Sequence, residues 1–376
     1  MIAAKQLYIL AGTILLITAV VILMDIISND YIDYKGGMRI GYFHGGRILI
    51  PYRAYVFGEF DRAGLNVSLY SVVSGHPDEL LYVPKDPLEM KKIIMNYPHF
   101  GRMTGIEIVG HMMAGNLDGG TIGESSFIKA VAEGLPIVAV AKLGFDTFET
   151  GGKSLLVRKG SNIKEPKDFI GKTIVSRSAG PGDSTFLREF FVSIGIDPNE
   201  VNIKDNVSSQ DMTIGLRTGE IDGGYYHHMS VEHLVEDGLA EIYRGFDWVN
   251  PEMSLAVLVF RKDYYNTHQE EIKRFIEVYM DRTKYEIDNP SGRYYGEETL
   301  GIEEKGLLTN VKFAGMNIPR FDYPPLINIT ILEEVQALLK KHKTVNYPPT
   351  DLASYINQTL LLELIEEKGI TVNLRT

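Results

Sequence analysis

The chain has 376 residues, a formal net charge of −11 and no cysteine. That length exceeds what one compact core usually serves, so two lobes are expected. The acidic balance argues against a nucleic-acid partner, which wants a basic face, and the missing cysteines exclude disulfides, thiol catalysis, Cys-ligated zinc and a lipoprotein anchor.

Residues 1–30 read as a membrane anchor or signal. Leu7 to Met24 (LYILAGTILLITAVVILM) is uncharged. As a helix it spans roughly 27 Å, close to the hydrocarbon thickness of a bilayer. Lys5 precedes it and Asp25 and Asp30 follow, so the positive-inside bias places the bulk of the chain on the extracytoplasmic side. A cleaved signal peptide is the alternative. Residues 31–37 form a polar linker.

Met38–Phe43 (MRIGYF) predicts a strand, His44–Ile50 a Gly-rich loop, and Pro51 the first turn of a helix to about Arg62. Leu65–Val73 alternates as the next strand, completing a βαβ unit. Residues 74–105 read as an irregular excursion. The unit recurs as strand Lys172–Arg177, loop Ser178–Asp183 and a helix carrying Phe186, Leu187, Phe190, Phe191 and Ile194 on one face, followed by a strand at Val201–Val207.

A second repeat is ungapped. Gly115-Asn-Leu-Asp-Gly-Gly120 aligns with Gly219-Glu-Ile-Asp-Gly-Gly224, and at the same offset Ser126 meets Ser230, Val131 meets Val235, and Gly134-Leu135 meets Gly238-Leu239. Each copy reads helix, Gly, strand, turn, helix, Gly, strand. Two similar doubly wound α/β lobes follow, each with a mostly parallel sheet. Lobe 1 is expected over 38–145 and 250–376 and lobe 2 over 150–245, joined by crossovers at 144–152 and 244–254. Helices are predicted at Gln269–Thr283, Ile331–Lys341 and, interrupted, Leu352–Glu367.

Ligands in such lobes sit beyond the carboxyl ends of the strands, where helix N-termini offer free N–H groups. Four helix starts are predicted, after His44–Ile50, Gly123–Ser126, Ser178–Ser184 and Tyr225–Ser230. Arg47 and Arg177 fall in equivalent loops and would clamp an oxyanion, or are surface arginines. Ser125, Ser126, Ser178, Gly182, Ser184 and Thr185 lie at helix starts, as ligand contacts or as caps. Glu124 suits a ligand amine or the helix dipole. Tyr42, Phe43 and Tyr226 offer aromatic walls, and His44 and His227 polar ones. Strand alternation separates His227 from His228, which disfavours a shared metal ion. No phosphate loop, zinc-protease helix or nucleophile elbow is present. No catalytic residue, metal or cofactor is expected.

Several segments in order carry a family resemblance: AGLNVSLYSV, GNLDGGTIGESSFIKAVAEGLPIVAVA, GGKSLLVRKGSNIKEPKDFIGKTIVSRSAGPGDSTFLREFFVSIGIDPNEVNI, TGEIDGGYYHH, SLAVLVFRKDYYNTHQEEIKRFIEVY and the closing LEEVQALLKKHKTVNYPPTDLASYINQTLLLELI. Together they resemble the type II periplasmic binding proteins of the sulfonate/nitrate/taurine and thiamine-pyrimidine-precursor group. The resemblance covers 38–376, apart from 74–105 and 291–325. It implies a clamshell that captures a small polar, anionic or zwitterionic molecule for an ABC importer, with a permease as partner. A pyrimidine-precursor-synthase-like enzyme and a sensory ectodomain are the alternatives; the enzymes of that branch carry cysteine-rich motifs absent here.

Overall fold

The computed structural model describes residues 37–42, 49–73, 76–86, 104–145, 153–177, 181–227, 234–245, 251–289, 321–344 and 350–372, with positions 89, 92, 93 and 96 besides. The apolar alternation of the first βαβ unit becomes strands Met38–Gly41 (β1) and Val67–Val73 (β2), which pair in parallel. The helix expected from Pro51 to about Arg62 comes in two pieces, Leu49–Val56 (α1) and Glu59–Arg62 (α2), because Gly58 between them is left-handed at φ 67°. The segment after residue 74 does not start irregularly. His76–Tyr82 (β3) pairs antiparallel with β2 at the sheet edge, where Pro77 is tolerated because one side of the strand carries no ladder.

Helix Gly105–Met113 (α3) opens with a capping box. The Thr104 hydroxyl accepts from the Glu107 N–H, and the Glu107 carboxylate accepts from the Thr104 N–H. Strand Gly119–Gly123 (β4), helix Glu124–Ala132 (α4) and strand Ile137–Phe145 (β5) follow. The chain then builds Lys153–Arg158 (β6), Thr173–Arg177 (β7), Pro181–Ser193 (α5), Asn202–Val207 (β8), Ser209–Thr218 (α6), Gly223–His227 (β9) and Ala240–Gly245 (β10). Leu255–Arg261 (β11) returns to the first sheet.

Two sheets result, a six-stranded one in the order β3-β2-β1-β4-β11-β5 and a five-stranded one in the order β10-β6-β9-β7-β8. Read from equivalent sides, β2-β1-β4-β11-β5 matches β8-β7-β9-β6-β10. In each sheet the strand that has just crossed from the other, β11 or β6, runs antiparallel to both neighbours. The sheets are therefore mixed, not mostly parallel. A strand entering from the opposite sheet arrives at the carboxyl end and must run back down.

The sequence repeat is structural. Gly115 and Gly219 end α3 and α6 at φ 79° and 82°, and Gly134 and Gly238 both sit at φ 69°. These are left-handed helix stops where a Cβ is strained. Asp118 and Asp222 hold equivalent junctions. The Asp118 carboxylate accepts from the Arg39 N–H at 2.9 Å and pairs with its guanidinium, while its own N–H donates to the Arg39 carbonyl and its carbonyl accepts from the Arg261 N–H. The Asp222 carboxylate accepts from the Thr173 N–H at 3.1 Å and from the Arg158 guanidinium, its N–H donates to the Thr173 carbonyl, and its carbonyl accepts from the Arg158 N–H.

Helical spacing is honoured in the core. Phe186, Leu187, Phe190 and Phe191 of α5 are fully buried, with Phe191 edge-on to Phe169 at 5.3 Å. Lys262–Thr267 (α7) leads into Gln269–Asp288 (α8), which buries Ile272, Phe275, Ile276, Tyr279 and Met280. Ile329–Lys341 (α9) packs between α4 and α5, and Thr359–Glu367 (α10) lies on α8 and β5. The interruption expected after Leu352 is a single 3-10 turn, Ala353–Tyr355. No helix among the described residues is long and apolar enough to cross a membrane; residues 7–24 lie outside them.

Candidate functional site

Three of the four predicted helix starts fall on described residues: α1 from Leu49, α4 from Glu124 and α5 from Pro181. The fourth, after Tyr225, runs into residues outside the description, as do Phe43, His44, Arg47, Ser178 and the side chain of His227. α5 begins three residues before the expected Ser184, because Pro181 fits a first helical turn, where its missing N–H costs nothing.

The starts of α4 and α5 come together, one from each sheet. Glu124 and Ser125 open α4 and are 3% and 6% exposed. Gly182, in the first turn of α5, faces them so closely that a Cβ on it would lie 3.1 Å from Glu124 Oε1 and 3.1 Å from Ser125 Oγ. A carboxylate and a hydroxyl thus lie buried where two helix N-termini meet, and both helix dipoles favour negative charge there. Ser126 turns the other way and packs on Gly105 at the start of α3.

Arg177 ends β7 with its Nε donating to Asp183 Oδ2 at 2.8 Å. Its charge is therefore already matched by a first-turn acid of α5. Ser184 belongs to a separate polar hub. The Arg188 guanidinium donates to Ser184 Oγ and, at 3.1 and 2.8 Å, to the two carboxylate oxygens of Asp205, which also accepts from Ser176 Oγ. Sequence reasoning passed over Asp205 and Arg188. Neither stood out in the sequence, since Asp205 lies in the polar strand NIKDNV beside Lys204 and Arg188 beside Glu189 on α5, and only the fold brings that strand and helix together. Thr185 points to the C-terminal side of α9, with its Oγ1 2.5 Å from Thr344 Oγ1.

The tyrosines take packing positions. Tyr42 stacks on Tyr52 with ring centroids 5.1 Å apart, in the core of the six-stranded sheet. Tyr226 is fully buried and donates to the Val207 carbonyl; burial pushes its phenol well above the usual range. Its neighbour Tyr225 faces the other core cluster, as alternation requires.

Burial of Asp205 raises its pKa, but the hydrogen bonds from Arg188, Ser184 and Ser176 outweigh that and hold it below the ordinary carboxylate range. A lowered folded-state pKa stabilises above the unfolded value, near 3.9, and the contribution disappears as pH falls through the lowered value. Denaturant unfolding should therefore show Asp205→Asn less stable than the parent at pH 7, with the difference closing below about pH 4.

Likenesses to known proteins agree with this architecture. Residues 106–292 match the family described as NMT1/THI5 like. Its fold is that of the periplasmic solute-binding proteins. The periplasmic aliphatic sulphonate binding protein SsuA from Escherichia coli superposes with a TM-score of 0.63 at 14% identity, over 85% of this chain and 92% of that one. The periplasmic nitrate-binding protein NrtA from Synechocystis PCC 6803 superposes with a TM-score of 0.59 at 10% identity, over 89% of each chain. In sequence, the chain is 27% identical to the taurine-binding periplasmic protein of Escherichia coli (strain K12) over 314 residues, 81% of this chain and 90% of that protein.

Proposed function

We propose that this chain is an extracytoplasmic solute-binding protein that captures a small polar organic molecule, anionic or zwitterionic, for an ABC importer, and that residues 7–24 tether it to the membrane. The carrying observation is the meeting of the α4 and α5 N-termini, one from each duplicated sheet, at Glu124, Ser125 and Gly182. Free N–H groups at two helix ends suit sulfonate, carboxylate or phosphate oxygens, and Glu124 suits a ligand ammonium. The lobes are then 38–145 with 250–376 and 150–245, turning about crossovers at 144–152 and 244–254. The relatives' solutes set the first panel: taurine, an alkanesulfonate and nitrate. Calorimetric titration of the purified chain with that panel tests the reading, together with native mass spectrometry of protein from its own host. Turnover of a bound molecule would instead support the enzyme alternative. Soluble protein starting near residue 29 would exclude the tether.

Arg47 and Arg177 are proposed to share the ligand's oxyanion, one from each lobe. Charge-assisted hydrogen bonds are worth about 1.5–3 kcal/mol, so Arg47→Ala or Arg177→Ala should weaken binding roughly 10- to 100-fold. Because Arg177 already pairs with Asp183, its variant should fall at the lower end. Parent-like affinity in both variants, measured by the same calorimetry, would leave recognition to the helix N–H groups and hydroxyls.

A further inference from the structure

Helix α9 is fastened at its two ends to different sheets. Before its first turn, the Lys142 N–H of β5 donates to the Pro325 carbonyl at 2.9 Å, and Lys142 Nζ pairs with Asp322 at 2.6 Å. The Ile327 N–H donates to Gln358 Oε1 at 2.7 Å. All of these sit on the six-stranded side. At its other end, Glu189 of α5 accepts from Lys341 Nζ at 2.7 Å and lies 2.6 Å from His342 Nε2, with the Thr185–Thr344 contact beside it. α5 packs on β7 and β9 of the five-stranded sheet. Between the ends, Leu332, Val335 and Leu339 of α9 are fully buried in one apolar cluster with Phe127 of α4 and Phe186 and Phe190 of α5. The helix is thus a third link between the two sheets, beside the two crossovers, and its polar grip holds the helix whose first turn meets α4.

We propose that α9 is a strap and Glu189 its latch, holding the α4 and α5 N-termini together before any solute arrives. The apolar contacts of α9 continue across both neighbours, but they are non-directional and allow sliding. The charged contacts at Glu189 fix one register. Releasing them should let the two sheets separate further and more often. The proposal rests on the two-lobed reading above, yet it concerns the ligand-free protein, so its test does not depend on any solute being found.

The chain has no native cysteine, so Ile214→Cys on α6 and Leu362→Cys on α10, each 52% exposed, give one labelled site per sheet. Spin-label distance distributions are recorded on the full, ligand-free chain, with melting curves alongside. Glu189→Gln is expected to raise the longer-distance population about two- to fivefold, the range for partly exposed ion pairs. Should that variant not fold, Lys341→Met with His342→Gln removes the same grip from the strap side and should give the same rise. Lys273→Ala breaks an ion pair between α8 and α10, both on the six-stranded side, and should leave the distribution unchanged. An unchanged distribution in a folded latch variant would overturn the proposal, and so would equal broadening in Lys273→Ala.

Discussion

Gly182→Leu is expected to lower solute affinity by more than about 100-fold while leaving the protein folded. A Cβ at this position already lies 3.1 Å from Glu124 Oε1 and Ser125 Oγ, tighter than ordinary contact, and a leucine adds three further carbons in that direction. Both partners are nearly fully buried at the head of α4. The relief available is separation of α5 from α4. If solute binding requires these two helix ends to close on it, apparent affinity falls with the fraction of molecules still able to close. Stability should fall by about 1–3 kcal/mol, because the overpacked contact strains the apolar cluster that α4 and α5 share, and a first-turn position gains little from leucine's helix propensity. Gly182→Ala should be far milder, since the neighbours need to give only a few tenths of an ångström. The panel calorimetry and a melting curve read both quantities. Parent-like affinity in Gly182→Leu would show that the junction of α4 and α5 takes no part in closure.

The second large effect falls on stability and should spare binding. Asp118→Ala and Asp222→Ala are each expected to cost about 2–4 kcal/mol. Each carboxylate serves a strand N–H and a guanidinium, and Asp118 is 3% exposed. Truncation leaves a backbone donor and an arginine without their acceptor at the end where the central strands begin. That end is opposite the helix starts, so the folded fraction should bind solute with unchanged affinity. Urea unfolding with calorimetry at a temperature where both variants are folded separates the two. A loss of affinity with no loss of stability would move these aspartates from the scaffold to the site.

Asp118 and Asp222 also show how far the repeat could be read. Their recurrence in G-x-x-D-G-G was visible, as was the duplicated order of elements around it, because glycine stops and apolar periodicity are written into consecutive residues. The use of the aspartate was not visible, since its partners Arg39 and Thr173 lie 79 and 49 residues away. At the candidate site the helix starts at Glu124 and near Ser184 were legible from Gly, Ser and Asp ahead of an apolar run. Which of those side chains face the junction was not. Ser184 and Ser125 carry the same cue, yet one joins the Arg188–Asp205 hub and the other meets Gly182. Tyr42 and Tyr226 read as pocket walls, and the fold gives both a place in a core.

By itself, the amino-acid sequence determined the α/β class, the two related halves, the elements that close the chain and the glycines that stop the helices of the repeat. These depend on spacing within one element, where backbone sterics and burial of one face decide the outcome. The tertiary structure alone decided that each sheet admits one reversed strand from its counterpart, that an edge strand follows residue 74, and that α9 grips both halves through Glu189. Those outcomes rest on contacts between residues far apart in the chain, such as His342 with Glu189, 153 positions away. No local pattern encodes such pairs, because their energy exists only once two separately formed surfaces have packed.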